Sequence, residues 1–295
     1  MMQTSSSLSN PQNIRAQSLP FDTEQTPAAA GEQPRRQAAR RLGVVSAIAQ
    51  EQAGLLDALQ QPRRVRHGNR DYALGRLYAH DVVLVLCGIG KVAAAATTTS
   101  LIVEFGCDAL VFTGVAGGLG PGVAVGDVVI ADTLLQHDLD ARPLYPRFEV
   151  PDSGKTRFAA DPAWTQALHA AAQRVFGADG LRRIDAATRD AFGLHQPRLH
   201  RGLVVSGDRF IATRADSDAL RAALPDALAV EMEGAAVAQV CHDYATPFAL
   251  VRTISDRADD SAHVDFGRFI RDVASHYSQA IMQALLQPAA DPACR

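Results

Sequence analysis

Apolar residues in this chain fall into short continuous runs, and amphipathic stretches and glycine turns separate them. Leu42-Gly-Val-Val-Ser-Ala-Ile is the first such run and predicts a buried strand. A helix is expected from Glu51 through Leu55, Leu56 and Leu59, followed by strands at 72–78 and 81–87. The second of these ends in Gly88-Ile-Gly-Lys91, and a small-residue helix follows from Val92 to about Phe105. Ala109-Leu-Val-Phe-Thr reads as a strand running into a glycine turn, Gly114 to Gly120, and Val128 to Ala131 as the next strand. The segment Leu134 to Pro151, rich in Pro, Arg and aromatics, predicts a close-packed loop. Asp161-Pro162 supplies an N-cap and first position for a helix over 161–176. Residues 180–200 read as a polar surface excursion.

The pattern resumes at Gly202, with a strand and turn to Ile211, a helix around Ser217 to Leu224, and a strand at Leu228 to Val230. An alanine-rich helix then runs to about Tyr244, Pro247 breaks it, and a further strand ends at Ser255-Asp256. A terminal helix from about Asp265 to Leu286 carries Phe266, Phe269, Ile270 and Val273 on one stripe. Strand and helix alternate throughout with no repeat or internal linker. The expected fold is α/β: one domain over 42–287, three αβα layers around a central mixed, mostly parallel sheet.

Composition narrows the classes. The chain has 295 residues, 47% of them hydrophobic, enough to bury a sizeable core. Its 29 Lys and Arg stand against 32 Asp and Glu, so no global basic field recruits nucleic acid or an anionic membrane. Cys87, Cys107, Cys241 and Cys294 show no CxxC spacing; a reducing cytoplasm is expected, with no metal and no disulfide framework. No apolar run approaches the roughly 18 residues of a membrane span. Residues 1–40, rich in Ser, Gln, Pro and Ala, are expected to be disordered, and 288–295 to form a tail.

The candidate chemistry gathers at strand ends. Glu231 and Glu233 lie where one strand hands over to a helix, and Ser255-Asp256 close the next strand, three residues after Arg252. In α/β sheets ligands collect beyond the carboxyl ends of strands. Three carboxylates and one Arg there suit a neutral polyhydroxylated ligand that becomes cationic as it reacts, as a nucleoside does. Taken singly, each acid also fits helix-dipole or turn chemistry. Gly88-Ile-Gly-Lys91 lacks the rest of a Walker loop, and neither glycine cluster carries the full dinucleotide fingerprint. His137, Asp138 and Asp140 have no second cluster to complete a metal site.

Six words occur in one order: Gly43-Val-Val-Ser-Ala-Ile with Glu51, Gly88-Ile-Gly-Lys-Val-Ala-Ala-Ala, Thr113-Gly-Val-Ala-Gly-Gly-Leu, Val205-Ser-Gly-Asp-Arg-Phe-Ile, Val230-Glu-Met-Glu-Gly and Val251-Arg-Thr-Ile-Ser-Asp. Together, over Gly43 to Leu286, they resemble the nucleoside phosphorylase/nucleosidase superfamily and, within it, the bacterial 5′-methylthioadenosine/S-adenosylhomocysteine nucleosidases. The resemblance implies a nucleoside phosphorylase-like fold, a homodimer, no cofactor, and release of adenine by hydrolysis of an N-glycosidic bond. It implies that Glu233 grips the ribose hydroxyls, Met232 packs on the sugar, and Gly117 offers backbone near it. Phe210 would stack on adenine, with the backbone of Ile211 facing the base. Asp256, with Ser255 beside it, would protonate N7, while Glu51 and Arg252 hold and activate water. Ile48, Ile89 and Phe266 are candidates for an apolar pocket around the 5′ substituent.

Chemistry agrees with these implied roles. A purine leaves badly as an anion, so a positioned acid must neutralise it, and carboxylates favour an oxocarbenium-like sugar. An aspartate acting as that acid needs its pKa raised. An anionic Glu51 would repel phosphate, which favours water as nucleophile. Val115 stands where the enterobacterial form of the family has a Ser that helps bind water. Purine nucleoside phosphorolysis, hydrolysis of a related adenosine derivative such as aminodeoxyfutalosine, and an idle nucleoside-binding protein are the alternatives.

Overall fold

Val44 and Val45 are adjacent in sequence and fully buried, yet they belong to different cores on opposite faces of one sheet. Side chains alternate across a strand, so an unbroken apolar run fits only a strand covered on both sides. The computed structural model describes residues 41–78, 80–178, 184–194, 196–258 and 266–287. The predicted disorder of 1–40 and the tail 288–295 lie outside them.

The chain begins with β1 (Leu42–Ser46), a 3-10 turn (Ala49–Glu51), α1 (Ala53–Asp57), β2 (Gln60–His67), β3 (Arg70–Leu77) and β4 (His80–Leu86). Next come α2 (Lys91–Val103), β5 (Ala109–Gly118), β6 (Val128–Gln136), β7 (Phe158–Ala159), α3 (Pro162–Ala178) and α4 (Ala186–Phe192). The last part holds β8 (Leu199–Ser206), α5 (Arg214–Ala223), β9 (Ala227–Glu231), α6 (Gly234–Asp243) and β10 (Phe248–Asp256). It closes with α7 (Phe266–Phe269), a π turn (Ile270–Ala274) and α8 (Ser275–Leu286).

Helices cover both faces. Val45, Leu110 and Phe112 pack with Ala94 and Leu101 of α2 and Val237 of α6. Val44, Ala109 and Val111 pack with Leu55 of α1, Leu168 of α3 and Tyr277 and Ile281 of α8. The expected αβα layers around a mixed sheet are present. Pairs β1–β4, β1–β5, β5–β10, β6–β8 and β8–β9 are parallel. Pairs β2–β3, β3–β4, β5–β9, β6–β7 and β6–β10 are antiparallel.

The sheet is not simply open. β10 pairs with both β5 and β6, so β5, β9, β8, β6 and β10 close into a ring, from which β1, β4, β3 and β2 extend. On one side of β5 the partner changes: β1 matches residues 109–112, and β9 matches only Gly117 and Gly118. Between them the strand has an open stretch on that side, and this gap places the site.

Four expectations change. The glycine segment from Gly114 is no turn; β5 runs on through Gly118, because β10 pairs along it from Leu110 to Gly117. β2 was not anticipated, since Pro62, Arg63, Arg64 and Arg66 break any apolar alternation there. It is an exposed edge strand, where proline and charge are tolerated and deter pairing with another chain. The region 180–200 holds α4, capped by Asp185 and ended by Gly193 in the left-handed region, and the start of β8. The terminal helix is interrupted by the π turn.

Candidate active site

The gap beside β5 leaves the Val115 amide to be satisfied by a side chain, and Glu51 supplies it. Glu51 Oε1 accepts from Val115 N at 3.1 Å, and its Oε2 accepts from Ala47 N at 2.9 Å and Ile48 N at 3.1 Å. The turn that ends β1 thus curls its own carboxylate back over its first amides. Gly114 makes the approach possible, because a Cβ there would stand 2.7 Å from Glu51 Oε1. Burial raises the pKa of Glu51, opposed by Arg252 and by these three amides.

Glu231 ends β9 and is saturated. Its Oε1 accepts from Ser206 Oγ, its two oxygens share Gly234 N at 2.9 and 2.8 Å, and Oε2 takes Glu233 N at 3.2 Å and Arg252 Nη2 at 2.7 Å. It therefore satisfies the first amides of α6, as a carboxylate at a helix start does. Arg252, 1% exposed, also lies 4.0 Å over the ring of Phe112. Glu233 turns the other way, accepting from Gly90 N at 2.8 Å. Burial, then the charge of Glu231, push the pKa of Glu233 up to about 7, against the Gly90 amide and Arg252. Asp256 closes β10; its Oδ2 accepts from Ser255 Oγ at 2.7 Å and its Oδ1 from Ala258 N at 2.7 Å.

These groups border one concave cleft, partly open to solvent. Of the residues expected from the sequence, Ile48, Glu51, Ile89, Gly117, Phe210, Ile211, Met232, Glu233, Ser255, Asp256 and Phe266 all line it. Phe210 and Phe266 meet edge to face at 6.1 Å, walling one side with carbon. Arg252 is the exception: it is not among the lining residues and sits behind the wall, bound to Glu231.

Sequence reasoning placed Glu231 in the acidic cluster but gave it no task. It missed the Gly90 and Val115 amides, since backbone donors carry no residue signal. It also missed Arg209, which lines the cleft. The two loop acids are spent internally, Asp138 on Lys91 and Asp140 on Arg142, while the buried His137 ring leaves its Nε2 without a hydrogen-bond partner. No group of three or more potential metal ligands occurs among the described residues.

A family model, the phosphorylase superfamily, matches residues 41–287. The chain belongs to that superfamily. It is 36% identical over 250 residues to the 5′-methylthioadenosine/S-adenosylhomocysteine nucleosidase of Mycobacterium tuberculosis, covering 83% of this chain and 96% of that one. Among solved structures, the Neisseria meningitidis nucleosidase of the same name, bound to methylthio-immucillin-A, superposes with a TM-score of 0.73 at 34% identity. That match covers 84% of this chain and 99% of that one. The Streptococcus pyogenes S-adenosylhomocysteine nucleosidase, with 5-methylthiotubericidin, gives 0.72 at 30% identity over 84% and 97%. Like these superfamily relatives, the chain has a mixed sheet between helical layers, and the six sequence words fall at its strand ends.

Proposed function

We propose that this member of the superfamily is an N-glycoside hydrolase that releases adenine from 5′-methylthioadenosine and S-adenosylhomocysteine. The observation that carries the reading is the convergence of Glu51, Glu233 and Asp256 on one cleft beside an aromatic wall, in a chain whose relatives bear that name. A nucleoside placed there sets its base against Phe210 and Ile211, its diol at Glu233, and its 5′ group toward Ile48, Ile89 and Phe266.

The reaction then proceeds with balanced charge. Asp256, protonated at the start, gives its proton to N7 as the C1′–N9 bond breaks and its electron pair goes to the purine. Glu233 and Glu51 favour the positive charge growing on the sugar. Glu51 takes a proton from water, whose oxygen bonds C1′; the two carboxyl groups reset by exchange with solvent. A raised pKa makes Glu51 a better base than an ordinary carboxylate. Arg252 supports the reaction from behind the wall by fixing Glu231 and tempering the charge of Glu51. Water is favoured over phosphate because a phosphate in this cleft would face the carboxylates of Glu51 and Glu233. We further place the enzyme in the cytoplasm as a homodimer, as the sequence resemblance implies. Among the described residues no helix is long and apolar enough to cross a membrane.

Purified protein given 5′-methylthioadenosine in phosphate-free buffer is expected to release adenine. Asp256→Asn should lower kcat at least the ~10² typical of lost acid catalysis, with binding retained. Adenine appearing only when phosphate is added would transfer the chain to the phosphorylases, and near-normal turnover by Asp256→Asn would remove the acid assignment.

A further inference from the structure

Gly88-Ile-Gly-Lys91 has the look of an anion-binding turn, and the anions it binds belong to the protein. Gly90, at φ 99°, is the N-cap of α2, where the first amides of the helix have no intrahelical partner and are left to outside acceptors. The Gly90 amide goes to Glu233 and the Lys91 amide to Asp208 Oδ1 at 2.7 Å. The Lys91 ammonium then reaches across to the end of β6, meeting Asp138 Oδ1 at 2.6 Å and Gln136 Oε1 at 3.1 Å. Asp138 Oδ2 accepts from the Asp208 amide at 2.8 Å, closing a ring of contacts that returns to Lys91. Gln136 continues it to Gln239 on α6 at 2.8 Å.

Three separate segments are therefore braced together beyond the ends of β4, β6 and β8. Two of them carry groups of the cleft: the first holds the amide that orients Glu233, and the third holds Phe210, two residues past Asp208. Burial pushes the pKa of Asp138 up, but Lys91 and the Asp208 amide prevail and hold it below the usual carboxylate range. The carboxylate is thus charged across the working range and the brace stays closed.

We propose that Lys91 is a positioning residue for sugar and base binding, acting through Asp138 and Asp208 to fix the Gly90 amide and Phe210. It touches no reacting atom. The proposal rests on the nucleosidase reading for its kinetic consequence but not for its structural one. Phe210 and the oriented Glu233 grip substrate in the ground state as well as the transition state, so loosening them removes uniform binding, which raises KM more than it lowers kcat.

The test is Lys91→Met in the full chain, followed by amide hydrogen exchange and by 5′-methylthioadenosine kinetics. The Gly90, Lys91 and Asp208 amides should exchange roughly tenfold faster or more, with β1 and β5 unchanged. KM should rise roughly 5- to 20-fold, the effect of losing one or two hydrogen bonds to charged groups, with kcat within about threefold. Adding Asp138→Asn should make KM little worse, because both changes open the same ring. Unchanged exchange at those amides would overturn the brace. So would loosening spread over the whole sheet with KM untouched, the signature of a merely structural lysine. Should the wild-type protein release no adenine, the nucleosidase reading fails, and the exchange experiment still decides the brace.

Discussion

Glu233 is asked to do two incompatible things: to sit in a dry wall 5% exposed and to carry charge beside Glu231. Burial and that neighbour push its pKa to about 7 from an ordinary 4.5, so the folded chain holds this proton more tightly than the unfolded one. Stability contributed by the group is complete below about pH 4.5 and is lost as pH rises through about 7. Glu51, also raised by burial, adds a change of the same sign. Glu233→Gln is therefore expected to melt higher than wild type at about pH 8 and no higher at about pH 5, a trade of stability for function. Its kcat/KM should fall roughly 10- to 100-fold, what a hydrogen bond to a charged group is worth. Melting curves that fall in parallel for both proteins between those pH values would show that another group carries the titration. The identity of the acids was legible in the sequence, but their partners were not. Nothing near Glu51 announces that Val115, far along the chain, will supply its third amide.

At the scale of elements, β5 explains why so many glycines sit inside one strand. Glycine normally weakens a strand, and in strands it often marks a close approach by another group. Here Glu51 comes to Gly114, and Asp256 and Ala258 come to Gly117, where a Cβ would stand 3.0 Å from Asp256 Oδ1 and 2.9 Å from Ala258 Cβ. Gly114→Ala would displace Glu51 while leaving the ladders to β1 and β10 in place. Its kcat should fall on the order of 10²-fold, the effect of misplacing a catalytic group by about an ångström, with circular dichroism unchanged. Wild-type kcat in that variant would mean that Glu51 moves aside without cost. The same glycines misled the sequence reading into a turn, since local propensity carries no trace of a side chain arriving from elsewhere. β2 failed for the opposite reason: its Pro and Arg suit an exposed edge, and apolar alternation is absent there. Helices α2, α3 and α6 were legible because their small, alanine-rich composition, the Asp161-Pro162 start and the break at Pro247 are all local.

For the whole molecule, the cleft is assembled from the turn after β1, the turn before α2, β5, the turn after β8, the end of β9, the end of β10 and α7. A ligand bridging so many elements should stabilise the domain as a unit. Adenine at about 100 times its Kd is expected to add ~2.7 kcal/mol to unfolding, seen as one shifted transition by circular dichroism and by the fluorescence of Trp164, which lies in α3 outside the cleft. A shift in only one probe, or none, would contradict a site shared across the fold.

Continuous apolar runs, glycine punctuation and the six words were enough to set the α/β class, the order of most elements and the acids that meet, because each is written in contiguous residues. The closing of β10 onto both β5 and β6, the burial of Arg252 behind the wall and the internal use of Lys91 were decided only by the tertiary structure. Pairing partners and desolvation depend on which distant segments share space, and no window along the chain contains that information.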